Sequence, residues 1–167
     1  MARSLWLVPP EDLRSRLASL IADLARRFRT PAFEPHVTLL GGIEAPEGSL
    51  LSRARSLAGQ LRPFELRLAD VGAGVEFFHC VFVAVVDTPE LLQAHDLAGA
   101  ALDVVEEPFR PHLSLVYGRL GDAEKRAARR AAGDLACAFT ARELRVMDTS
   151  GDVEAWRRLA GYSLGPP

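Results

Sequence analysis

The stretch FEPHVTLLGG, Phe33 to Gly42, is written almost a second time as FRPHLSLVYG, Phe109 to Gly118. In both, Phe and Pro lead into His, an apolar residue, a hydroxyl residue and Leu, at one constant offset. An extended chain turns residues i and i+2 to one face. His36 therefore shares a face with Thr38, and His112 with Ser114, while Val37, Leu39, Leu113 and Leu115 turn to packing. Pro35 and Pro111 open these strands, where a missing N–H is tolerated, and hold the residue before them extended. Each block is a platform presenting one imidazole and one hydroxyl.

The repetition continues outward. PEDL at Pro10 and PELL at Pro89 open helices after the strand-forming stretches SLWLV (Ser4–Val8) and VEFFHCVFVAVVD (Val75–Asp87). Leu13, Leu17, Leu20, Ile21, Leu24 and Phe28 recur at steps of three and four, predicting a helix with Pro10 in its first turn and Thr30-Pro31 at its end. The second repeat's helix has Thr88 as N-cap and Pro89 at the first helical position. GGIEAPEG after the first motif reads as a loop, followed by a helix capped by Ser49. FELRLADV (Phe64–Val71) alternates as a half-exposed strand. The Val75–Asp87 run is so apolar that it reads as one central strand buried on both faces, with His79 as a core histidine. A fourth helix is expected with Asp122 as its cap, then a hairpin of CAFTARELRVMD and EAWRRLAGYSL around TSGD. Each half thus reads strand, helix, histidine strand, helix, strand.

The predicted class is α+β: two lobes related by a pseudo-twofold axis, each a mainly antiparallel sheet with helices outside, and a cleft between them. No Gly/Ser or Pro-rich linker divides the halves, so residues 1–167 are expected to form a single bilobal domain. A chain of 167 residues can bury roughly 70% of its unfolded surface and needs no staples. Cys80 and Cys137 are too few and too far apart for a disulfide framework and suit free thiols in a reducing cytoplasm. Four scattered histidines lack the spacing of a metal site, so no metal and no cofactor are expected. No apolar run approaches the roughly 20 residues of a membrane helix, and the first residues lack the form of a signal peptide. A net charge of −2 argues against a long nucleic acid as partner while leaving room for a small anion. A monomer is expected.

Two histidines on opposite walls suit phosphoester hydrolysis. In-line displacement at phosphorus needs a base on the entering water and an acid on the leaving oxygen, and imidazole titrates near neutral pH. The hydroxyls of Thr38 and Ser114 can donate to non-bridging phosphate oxygens. The alternative, a packing role for both motifs, would place two histidines and two hydroxyls in an awkwardly dry core. His112 is assigned as base and His36 as acid, with the reverse left open by the pseudo-symmetry. His95, mid-helix, reads as surface or core, and Arg110 as a rim charge.

HVT and HLS, with SLWLVP, FFHCVFV, PHLSLVYG and DTSGDVEAW in this order, resemble the two-histidine phosphoesterase superfamily and, within it, the cyclic phosphodiesterase branch of plants and yeast. The resemblance covers most of the chain. It implies the bilobal fold, catalysis by His36, Thr38, His112 and Ser114, and substrate contacts from Trp6, Phe78 and Tyr117. From position alone, Trp6 and Phe78 read more readily as core, and Tyr117, three residues past Ser114, should face away unless the strand bends. His79 stands where the plant enzymes carry Gln. The implied reactions are opening of nucleoside 2′,3′-cyclic phosphates to 2′-phosphates and of ADP-ribose 1″,2″-cyclic phosphate to the 1″-phosphate, on small nucleotides. Two other readings are an RNA-end enzyme of the LigT group, acting on 2′,3′-cyclic termini or 2′–5′ linkages, and a nucleotide-binding sensor without turnover.

Overall fold

A computed structural model describes residues 3–105 and 108–166. Strand β1 (Arg3–Leu7) leads into helix α1 (Glu11–Phe28), then β2 (Val37–Ile43), α2 (Glu47–Gln60) and β3 (Phe64–Ala73). The chain continues through β4 (Val81–Val85), α3 (Pro89–Leu102), β5 (His112–Val116) and α4 (Asp122–Ala132). It ends with β6 (Cys137–Ala141), β7 (Glu143–Asp148) and β8 (Arg157–Ser163), and two short 3-10 turns stand at Phe77–His79 and Val153–Ala155.

The strands form one antiparallel sheet in the order β6-β3-β4-β5-β2-β1-β7-β8. It divides into two four-stranded halves that meet where Val37 of β2 pairs with Leu113 of β5. The pseudo-twofold axis runs through that pair and exchanges β2 with β5, β1 with β4, β7 with β3 and β8 with β6. The sheet halves are not the sequence halves: β3, the last strand of the first repeat, pairs with β4 and β6 in the second lobe. The first lobe is completed instead by β7 and β8. The helices cross as well, with α1 packed on β5 and α3 on β2, so each repeat's first helix backs the other's histidine strand.

Local chemistry explains the element ends. Glu11 and Asp12 in the first turn of α1 and Arg26 and Arg27 in its last complement the helix dipole. The helix stops at Arg29, in the left-handed conformation at φ 55°, while Leu17, Ile21 and Leu24 fill the core. Thr88 caps α3 as its pattern predicts, its hydroxyl accepting from the Leu91 N–H at 3.3 Å. Three other caps differ from expectation. Pro10 stands just outside α1 at the N-cap, α2 begins after Pro46 rather than at Ser49, and α4 is capped at Gly121, whose N–H donates to Glu124 at 2.8 Å.

Three strand readings also change. Gly41 and Gly42 continue β2 instead of turning. The Val75–Asp87 run is a strand only from Val81; Val75 is exposed, and Phe77 to His79 form a 3-10 turn. CAFTARELRVMD breaks at Arg142, so β6 pairs at the far edge of the second lobe while β7 and β8 form the expected hairpin.

Candidate active site

His36 and His112 are held by the same local device. Each Nδ1–H donates to the carbonyl two residues back, His36 to Glu34 at 2.6 Å and His112 to Arg110 at 2.8 Å. The intervening proline fixes the peptide that carries this carbonyl, so the two-residue recoil is built into Glu34-Pro35-His36 and Arg110-Pro111-His112. With Nδ1 committed, Nε2 is the proton acceptor of each neutral ring. The Val37–Leu113 pairing, continued one residue each way, sets His36 opposite Ser114 and Thr38 opposite His112. Cross-strand partners share a face, so both imidazoles and both hydroxyls meet on one side of the seam.

A matching irregularity follows each motif. Trp6 pairs with Thr38 but Leu5 with Leu40, and Phe82 pairs with Ser114 but Val81 with Val116. One extra residue, Leu39 or Leu115, is accommodated in each, and this resets the alternation of faces. Leu39 with Leu40, and Leu115 with Val116, are all buried in the core. Tyr117 thereby returns to the site face, against the expectation for a regular strand. Its hydroxyl donates to His36 Nε2 at 3.4 Å and lies beside Ser114, so it stands between the two motifs. Ser114 Oγ donates to the Phe78 carbonyl at 2.9 Å, pinning the 3-10 turn over the site. Burial raises the Tyr117 phenol, partly offset by Ser114, so it stays protonated at neutral pH.

Aromatic rings enclose the first histidine. Trp6 lies flat on His36, ring centroids 3.4 Å apart and planes 4° apart. Trp156 stands edge-on to Trp6 and Tyr117 at 6.0 and 5.8 Å, and Phe78 lies 5.8 Å from Trp156. Phe33 stacks on Tyr117 at 3.7 Å. His36 is consequently 4% exposed. Burial pushes its pKa down to about 3, with the nearby His112 charge adding to the effect and the Glu34 carbonyl opposing it.

The first lobe supports Glu34 from behind. Arg145 of β7, buried beside Trp6 in register, pairs with Glu34 and with Glu143 at 3.2 Å. Burial works against its charge, but the two carboxylates more than compensate and hold its pKa up.

All seven residues expected from the sequence converge here, in differing roles. Trp6 is a correction: at 2% exposed, with His36 covering its face, it packs the histidine and presents no open platform. Phe78, 53% exposed, is open to a ligand, and Thr38 is half-buried beside His112. His79 is no core residue either, since it lies half-buried beside His112 at 4.4 Å between centroids. His95 is buried, stacked on Phe109 and donating from Nδ1 to the Leu39 carbonyl at 2.8 Å. Arg110 is an exposed rim charge paired with Glu76 at 3.3 Å. Trp156, Phe82 and Phe33 escaped the residue-level reading, although aligning FVAV of the second repeat with WLVP of the first would have found Phe82. Among the described residues no three His, Cys, Asp or Glu side chains converge as a metal site, and no helix is long and apolar enough to cross a membrane.

Comparison with known proteins agrees with this geometry. The family described as cyclic phosphodiesterase-like protein matches residues 1–164. A cyclic phosphodiesterase of Arabidopsis thaliana is 28% identical over 172 aligned positions, covering 98% of this chain and 95% of that protein. A 2′,3′-cyclic-nucleotide 3′-phosphodiesterase of Yarrowia lipolytica is 37% identical over 55% of this chain and 46% of its own length. The crystal structure of E. coli LigT complexed with 3′-AMP shares the fold, with a TM-score of 0.64 at 19% identity over 97% of both chains.

Proposed function

We propose a substrate and a mechanism from one premise: this chain belongs to the family of cyclic phosphodiesterase-like proteins. The reaction is hydrolysis of a small cyclic phosphodiester, a nucleoside 2′,3′-cyclic phosphate or ADP-ribose 1″,2″-cyclic phosphate, to a phosphomonoester. The observation that carries the mechanism is the mirrored pair of Nδ1–H to carbonyl bonds on opposed Pro-His segments. They leave two Nε2 atoms on one face across a pseudo-twofold axis, the disposition that in-line attack at phosphorus requires. The whole chain acts as one unit, since each wall supplies one histidine.

The roles differ because the environments differ. Buried His36 holds no proton at neutral pH and serves as base, the alternative order that the pseudo-symmetry of the sequence leaves open. Its Nε2 takes a proton from water as the water oxygen bonds to phosphorus. The bond from phosphorus to the leaving ring oxygen breaks, and Nε2–H of protonated His112 delivers a proton to that oxygen. Thr38 and Ser114 donate to the non-bridging oxygens. After turnover His36 carries the proton and His112 does not, and exchange with solvent restores the start. Each group contributes roughly two to four powers of ten. Ser114 must first release the Phe78 carbonyl, because a hydroxyl has one proton to give.

Phosphorus NMR with 2′,3′-cyclic AMP and ADP-ribose cyclic phosphate side by side tests this reading. A new phosphomonoester signal, lost in both H36A and H112A, supports it; turnover retained in either variant overturns the mechanism. Tight binding without product would mark a sensor. One observation favours a second reading, on RNA ends. Lys125, Arg126 and Arg129 of α4 have no ion-pair partner among the described residues and line a groove reaching Gly74 and Val75, just before the site turn. Faster cleavage of an oligonucleotide bearing a cyclic end than of the mononucleotide, weakened steeply by salt, would select it.

A further inference from the structure

The two lobes treat equivalent positions differently, and the difference is one residue. By register Phe82 is the counterpart of Trp6, each paired with its motif hydroxyl. Trp6 lies directly on His36, but Phe82 does not lie on His112: their centroids are 5.7 Å apart and the planes 69° apart. The space between is taken by His79, stacked on Phe82 at 3.6 Å and 13°, with its ring at 66° to His112. Gly72 allows this arrangement from beneath, since a Cβ there would meet the Phe82 ring at 2.7 Å.

Packing alone explains the stack on Phe82, but not an imidazole left half-buried beside another imidazole. No protein hydrogen bond to its ring nitrogens is found among the described residues, and neither nitrogen is a buried orphan. Nδ1 faces the Gly74 backbone, 3.0 Å from where a Cβ would sit. That leaves Nε2 as the ring nitrogen free of the backbone, on a half-buried ring 4.4 Å from that of His112.

The geometry points to His79 as a third substrate-binding imidazole, placed beside His112 to contact the phosphoryl group of the bound cyclic phosphate. This rests on the reading that the phosphate lies between His36 and His112. The charges facing His79 are few. His112 and Arg110 come from β5 and the segment before it, Glu76 from the segment leading into its own turn, while Gly74 just after β3 and Phe82 of β4 bring no charge. Burial lowers its proton affinity, as do His112 and Arg110, against a smaller pull from Glu76. An incoming phosphate reverses that balance, favouring the protonated ring, so binding draws a proton onto His79 from solution.

The test uses titration calorimetry of inorganic phosphate and of 2′-AMP, at pH 7.5 and 5.5, in buffers of different ionisation heat. The wild-type protein is compared with H79F, which keeps the stack on Phe82 without a titratable group, with H79Q, which keeps a donor but not the charge, and with H112A. Wild type should take up more protons on binding at pH 5.5 than H79F. It should also gain about tenfold more affinity between pH 7.5 and 5.5 than H79F does, while H79Q, with a donor but no charge, binds better than H79F at both pH values and gains no more than H79F between them. Identical proton uptake and pH dependence in wild type and H79F overturn the role of His79. If neither ligand binds wild type, or H112A binds both as well as wild type does, it is the placement of phosphate between the histidines that has failed.

Discussion

The His36 and His112 sides of the seam are built from one plan and finished differently. Both have the X-Pro-His recoil, the hydroxyl two residues on, and the extra residue that follows it. On the first side Trp6 seals its histidine, and on the second His79 stacks on Phe82, which stands away from His112 and leaves it half-open. Position and tautomer are therefore set by the shared backbone, while burial is set by what packs on the outer face, and burial is what lowers the proton affinity of His36. In the proposed mechanism this difference in burial is what gives two chemically identical side chains opposite tasks.

The largest effect that would break this comparison is loss of either imidazole. H36A and H112A should each lower kcat by about a thousandfold or more while the circular dichroism spectrum stays unchanged. If the two losses are additive in the double variant, the histidines do not act in one step.

Next in size is a stability effect confined to the sealed side. R145M removes the buried guanidinium that bridges Glu34 and Glu143; Arg14 stays 3.7 Å from Glu34 and Arg158 2.7 Å from Glu143, so the loss in urea unfolding should be about 1 kcal/mol. It should also slow turnover, because Glu34 supplies the carbonyl that aims His36. Unchanged stability would show that the two carboxylates find water instead.

The pH dependence sharpens the contrast further. The folded pKa of His36 lies below its unfolded value, so between about 6.5 and about 3 the unfolded chain binds more protons. Stability should fall as pH drops through that window, by up to about 1.4 kcal/mol per pH unit, and H36F should flatten the slope. As base, His36 also predicts an acid limb of kcat/KM well below the usual histidine range. A limb near 6.5 that disappears in H36F would return the base to an ordinary exposed histidine. The smallest change is Y117F, which removes the hydroxyl bonded to His36 Nε2 and should lower kcat about tenfold with little change in stability. An unaltered kcat would make Tyr117 a mere filler.

What the sequence reveals follows from what periodicity measures. The motif faces, the α1 stripe and the Thr88 cap are local and repeat at known spacings, so residue order alone exposes them. Val75 to His79 carry strand-like side chains but sit where the chain must cross the site, and Phe77 and Phe78 are apolar because they cover the cleft rather than because they enter the core. His79 reads as a core residue from sequence for the same reason. Tyr117 depends on one extra residue in β5, visible only once β4 is set beside it. Arg142 divides two strands that share every propensity and differ only in their partners.

The exchange of β3 between lobes has a consequence for how the molecule can be taken apart. Residues 1–74 carry His36 and the central strand of the other lobe, and residues 75–167 carry His112 and the strands that complete the first. Neither piece encloses a finished core. A chain nicked between Gly74 and Val75 is thus a pair of interlocked halves, each a template for the other, and enzymatic turnover would report their reunion.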